Sequence, residues 1–184
     1  ISSTEAEYRR YKVLAESAID QISDADLATP GPNAIATICW HIGGNLRSRF
    51  TDFLTSDGEK SWRKRDTEFY ERDISRQEIL AQWEQGWSTL FTTLTELSDD
   101  DLTKTITIRG TELLVIEALH RSLAHITYHV GQIVYAARLI RGNDWQFLSI
   151  PPGGTEAYNK KPTSEKANAH ADRLSASRDD AADE

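Results

Sequence analysis

Residues 114–140 read LVIEALHRSLAHITYHVGQIVYAARLI, with one Gly and no Pro. At 3.6 residues per turn, the stretch makes roughly seven turns of helix. His125 and His129 lie four apart, so on a helix both imidazoles share a face, one turn from each other. Ala118, Ser122, Gln132, Ile133 and Ala136 share that face, and several are small enough to leave room for a neighbouring helix or an ion. Two neutral imidazoles at this spacing can grip one transition metal, which then needs a third ligand from elsewhere.

Three further segments repeat apolar residues at helical spacing. Residues 3–22 place Tyr8, Tyr11, Leu14, Ala15, Ala18, Ile19 and Ile22 on one face, and Ser2 with Glu5 has the form of a capping box. Pro30, Gly31 and Pro32 then break the chain. Asn33 suits the N-cap of a second helix, 34–54, with Ile35, Ile38, Ile42, Leu46, Phe50 and Phe53 as its stripe. Gly43 and Gly44 weaken that helix by about 1 kcal/mol each relative to Ala, so a close partner helix or a ligand is expected beside them. Ser75 and Glu78 form another capping box ahead of a third helix, 76–97, whose inward residues include Ile79, Trp83, Trp87, Leu90 and Leu94.

With 114–140 this makes four amphipathic helices, and the expected fold is all-α, a four-helix bundle. The polar stretch 55–74 between helices two and three is long enough for a crossover. It carries Trp62, Phe69 and Tyr70, which suits a folded flap better than a tether. TKTITI, 103–108, alternates and is β-branched, so a short extended piece turned by Gly110 is expected. Residues 143–159 form an irregular C-terminal extension with Trp145, Phe147, Leu148 and Ile150, expected to fold back so that 1–159 is one domain. Residues 160–184 hold only Leu174 as a large apolar residue, and a tail that is disordered or loosely helical is expected.

The chain has 184 residues, a net charge of −8 and 39% hydrophobic residues. That length supports a real core without metal or disulfide staples. An acidic balance with no basic stripe argues against nucleic acid and anionic membranes as partners. The single cysteine, Cys39, excludes an internal disulfide framework and fits a reducing cytoplasm. It falls on a different face from His41 and reads as a buried core thiol. No apolar run reaches the roughly 20 residues that span a bilayer, and no signal peptide is evident. With Ile1 first and no Met, the translated start is expected upstream.

For the third ligand, His41 sits mid-helix at the glycine-softened face of helix two, where bundle sites are commonly built. The alternative is a hydrogen-bonded histidine at a core edge, with His125 and His129 satisfied separately. His120 points well away from the pair, and His170 lies in the tail.

HITYHVGQIVY, with His41 in a WHIGGN helix, resembles the DinB-like (YfiT-like) superfamily across residues 1–142. That superfamily's HxxxHxGQ motif is present as His125, His129, Gly131 and Gln132, and His41 matches its third histidine. SDGEKSWRKRDTEF and LSIPPGGTEAYN resemble one uncharacterised bacterial branch of it. The resemblance implies a four-helix bundle, a divalent metal (zinc or nickel) on His41, His125 and His129, and a homodimer. It also implies chemistry of the kind run by thiol S-transferases and thiol-dependent isomerases that use bacillithiol or mycothiol.

Three protein nitrogens with an open position suit a catalytic site better than a structural one. Two enzymes fit: one passes a low-molecular-weight thiol to an electrophile, the other is a metal-dependent hydrolase. A third possibility is a non-catalytic metal-binding dimer. Hydrolysis usually wants a general base, and no carboxylate shares the His125/His129 face within a turn. Glu112, Asp52 and Glu84 are left to arrive from other elements. This tilts the expectation toward thiol chemistry on a small-molecule substrate. Asn45 and Gln132 are candidate substrate or supporting contacts, with ordinary polar capping as the alternative. Arg63 and Arg65 read either as an anion clamp or as a solvated charge run paired with Asp66 and Glu68.

Overall fold

The computed structural model describes residues 1–29, 34–70 and 73–182. The break at Pro30, Gly31 and Pro32 and the N-cap at Asn33 lie outside them. The chain is mostly helical: α1 (Ser2–Ile19), α2 (Asp24–Ala28), α3 (Ile35–Phe50), α4 (Arg76–Glu96), α5 (Val115–Arg141), α6 (Thr155–Lys160) and α7 (Ala167–Ala182). This is consistent with an all-α fold, and the extended piece expected at 103–108 is one strand of a small antiparallel hairpin, β1 (Thr105–Ile108) with β2 (Thr111–Leu114). No helix among the described residues is long and apolar enough to cross a membrane.

The chain divides into two compact units, one of Ile1 with Asp24–His129 and one of Ser2–Ser23 with Val130–Glu184. In the first, α3 and α4 pack along their lengths. Ile38, Ile42, Leu46 and Phe50 of α3 and Ile79, Trp83, Trp87, Leu90 and Leu94 of α4 are buried, so both apolar stripes face inward. The glycines set how closely the two helices cross. A Cβ on Gly86 would meet the Gly43 Cα at 2.6 Å, and one on Gly43 would run into the Gln82 carbonyl. Ser75 and Glu78 cap α4 reciprocally, as the sequence predicts. Helix α3 stops at Phe50, four residues short of the expected end, because Thr51 is extended and Asp52 takes a positive φ of 49°.

The hairpin turns on Arg109 (φ 55°) and Gly110 (φ 71°). Two left-handed residues in a two-residue loop make a type I′ turn, whose twist suits the strands. Asp57, in the 55–74 flap, accepts the backbone N–H groups of Arg109 at 2.8 Å and Gly110 at 2.7 Å. Those bonds and one from Glu59 hold its carboxyl down at about 2. Gly58 N–H donates to the Thr107 carbonyl at 2.8 Å, and Ser48 Oγ donates to the Gly58 carbonyl at 2.8 Å. The flap is thereby bonded to both the hairpin and α3. Its later part forms a 3-10 turn, Arg65–Phe69, that returns to α3.

In the second unit α7 packs on α1. The 160–184 region, expected to be disordered or loosely helical, holds this helix because Ala171 and Leu174 join Val13 in a small core, with Leu14 and Leu148 against it. Arg178 adds ion pairs to Glu16 and Asp20 at 2.6 Å each. The 143–159 extension folds back within this unit. Gln146 N–H donates to Gln21 Oε1 at 2.8 Å, and Trp145 is buried.

Candidate metal centre

Three ring nitrogens converge in the first unit. His41 comes from the middle of α3, His125 and His129 from consecutive turns of α5. His125 Nε2 lies 3.2 Å from His41 Nε2 and 3.2 Å from His129 Nε2. One ligand atom from each lies within 4.8 Å of the other two. Metal–nitrogen bonds of about 2.0–2.1 Å in a tetrahedron place ligand nitrogens about 3.3–3.4 Å apart, so the trio fits one divalent ion. The chemistry of the donors fits as well. Burial first, then the neighbouring charges of His129, His41, Arg63 and Arg49, pushes the His125 imidazole down to about 3. It is neutral at physiological pH and offers a lone pair.

The opposite nitrogen of His41 is committed. Its Nδ1 donates to Glu68 Oε2 at 2.8 Å, since a carboxylate can only accept, which leaves Nε2 as the nitrogen that faces the other two histidines. Glu68 is itself gripped by Arg63, whose Nε and Nη2 each donate to it at 2.8 Å. Burial opposes ionisation of Glu68, but the bonds from Arg63 and His41 outweigh it and hold the carboxyl below its usual range. Gly44 leaves the space: a Cβ there would collide with the Glu68 carboxylate. Phe69 closes the outer side, its ring 4.9 Å from the His41 ring, with the Arg65 guanidinium 5.0 Å over it.

A cavity of about 210 Å³ opens beside His41 and His125. On α3 it is bounded by Asn45 and Arg49, on the flap by Arg63 and Arg65, on the hairpin by Ile108 and Arg109, and on α5 by Ala118, Arg121 and Ser122. Asn45, Arg63 and Arg65 all line this cavity. Gln132 falls in the second unit. Arg63 has the Glu68 partner that the charge-run reading gives it, but it is not solvated: its side chain is only 2% exposed. Lys64 and Arg65 are the exposed part of that run, Arg65 with Asp66 at 3.6 Å. His120 is exposed, and Cys39 is buried.

The bond of Glu68 to His41 is not evident from the sequence, where Glu68 reads only as a partner of the nearby arginines. Its trace is the pair of a glycine one turn-step from His41 and an arginine five residues before the carboxylate. Arg121 and Ser122 were readable as neighbours of His125 at helical spacing.

Two outcomes follow from this geometry. Carboxylate support of a ligating histidine is worth about 10–100-fold in metal affinity, so Glu68→Gln should weaken zinc binding by that factor in a chelator competition. Metal-free protein should also lose stability as pH falls from 6.5 toward about 3. In that window the unfolded chain protonates His125 and the folded chain does not, so proton binding favours unfolding. Above 6.5 the effect is absent. Denaturation midpoints taken across this range should fall more steeply for wild type than for His125→Gln.

A mostly helical chain with three converging histidines is a candidate metal-binding protein. The chain belongs to the family described as "Protein of unknown function (DUF1572)", which matches residues 1–154 and is part of the DinB-like superfamily. Comparison with curated proteins found no match, and comparison with solved structures found none either.

Proposed function

We propose that His41, His125 and His129 hold a divalent ion, zinc or nickel, and that the protein is an enzyme that adds or transfers a low-molecular-weight thiol to an electrophile. The observation that carries this reading is the convergence of three histidine ring nitrogens beside a polar cavity. An ion on three neutral ligands keeps its full charge, and when bound it supplies a nucleophile at neutral pH by lowering the pKa of the group on its open position. Glu68 fixes the His41 tautomer and ring orientation, and Arg63 keeps Glu68 ionised and in place. Phe69 covers His41 on the flap side and limits water there.

The choice of thiol over water rests on the cavity wall. Glu68 is spent on His41 Nδ1, and among the described residues no carboxylate lines the cavity to act as general base. Thiol chemistry manages without one, because ionising the thiol is enough to make it attack. The same proposal takes in the four-helix bundle, a homodimer and a reducing cytoplasm as the setting. Metal-dependent hydrolysis is the second reading, and a non-catalytic metal-binding dimer the third.

The test is a panel of small thiols with a chromogenic electrophile, run with zinc- and nickel-loaded protein. Turnover that needs both metal and thiol is the expected result. Ester cleavage without thiol would put the hydrolase first. Bound metal with neither activity would leave the binding dimer.

A further inference from the structure

We propose that the cavity beside the histidines is an oxyanion subsite, with Arg63 Nη1 and Ser122 Oγ as its donors. Both residues are buried and line the cavity, and both of these atoms lack a hydrogen-bond partner. A folded chain rarely leaves buried donors unpaired, and such atoms mark a place where a ligand completes the bonding. Arg63 spends Nε and Nη2 on Glu68, which fixes the guanidinium plane and leaves Nη1 over. Ser122 sits one turn before the ligating face of His125 and does not bond back into its own helix.

The charge of the wall says what the ligand is. Arg49, Arg63, Arg65, Arg109 and Arg121 line the cavity. The carboxylates that meet them are Glu59, shared by Arg49 and Arg109, with Glu68 on Arg63 and Asp66 on Arg65. Arg121 has no ion pair among the described residues. Five guanidiniums against three carboxylates leave an excess of two positive charges around two unsatisfied donors. A compact oxyanion, a carboxylate or a phosphate, accepts from both donors and meets that charge. A cation does neither, and a neutral amine, with one lone pair and no negative charge, cannot accept from both donors or meet the charge.

Size narrows the class. A cavity of about 150 Å³ takes a benzene ring, so one of about 210 Å³ takes roughly eight non-hydrogen atoms. The ligand presents a small acidic head here, and its reacting group extends toward His41 and His125. This last step rests on the function proposed above, whereas the oxyanion subsite does not, because its donors belong to the chain and not to a metal.

The experiment separates the two. The full chain is freed of metal with a chelator and titrated with propionate, methyl phosphate and propylamine, followed by amide shifts in two-dimensional NMR. Saturable binding of propionate, of methyl phosphate or of both is the expected result, and which one binds tells carboxylate from phosphate. Propylamine should leave the shifts unchanged. Ser122→Ala should weaken the oxyanion by roughly three- to tenfold while leaving the melting temperature unchanged or higher, because it removes an unpaired buried hydroxyl. Arg121→Gln, an exposed change that does not touch Glu68, should weaken binding about threefold and flatten its salt dependence. Absence of saturable oxyanion binding overturns the subsite, as does binding that neither substitution weakens. Zinc content, measured on the same samples, stands or falls separately.

Discussion

His125→Ala should leave the chain folded and unable to retain a divalent ion. His125 is the middle member of the trio, 3.2 Å from each of the other two ligand nitrogens. Zinc bound by four protein ligands is worth about 10–16 kcal/mol, so one ligand is worth roughly 3–4 kcal/mol, or about 10²- to 10³-fold in affinity. The structural cost is small by comparison. The ring is half-buried and costs free energy to shield from water, so its removal relieves as much as it loses. Metal per chain after gel filtration, with helicity checked by circular dichroism, is the measurement. His120→Ala is the control, since that exposed histidine lies on the same helix and should keep the metal. Equal metal in wild type and His125→Ala would end the three-histidine reading.

Gly86→Val should cost about 3 kcal/mol and lower the melting temperature by roughly 6–12 °C. A side chain there meets the Gly43 carbonyl oxygen at 2.5 Å and its Cα at 2.6 Å, both backbone atoms of α3 that cannot rotate away. The two helices must move apart, and the contacts of Trp83, Trp87 and Leu90 with α3 loosen together. His41 is two residues from Gly43 on the same helix, so metal affinity should fall with stability. Gly131→Ala is the opposite case. Nothing lies within 4 Å of its Cβ position, and an alanine in that helix interior should stabilise by about 0.5–1 kcal/mol. Thermal unfolding of the two variants should shift in opposite directions.

Much of this was legible because helices announce themselves by period. The stripes of α4 and α5 and the capping box at Ser75 follow from local spacing alone, and so do the two ligands on one face of α5. The glycines at 43 and 44 rightly pointed to close approach, one by a helix and the other by a carboxylate. What stayed hidden depends on contacts between distant parts of the chain. Glu68 lies 27 residues from His41, in a stretch whose charges look solvated. Nothing local says that Arg63 is buried while Lys64 and Arg65 are not. The early end of α3 at Phe50 depends on a left-handed Asp52, and aspartate permits that conformation without demanding it. Helix α7 looks too polar to hold, and is held by Ala171 and Leu174 packing with one valine of α1.

The missing side chain at Gly44 also limits how this protein can drift. A methyl group there would sit 3.0 Å from the Glu68 carboxyl carbon, so Gly44→Ala on its own dislodges the brace behind His41. Shortening the brace by one methylene, Glu68→Asp, frees that volume. The two substitutions should therefore rescue one another, and among descendants of this chain the two positions should change as a matched pair or stay as they are.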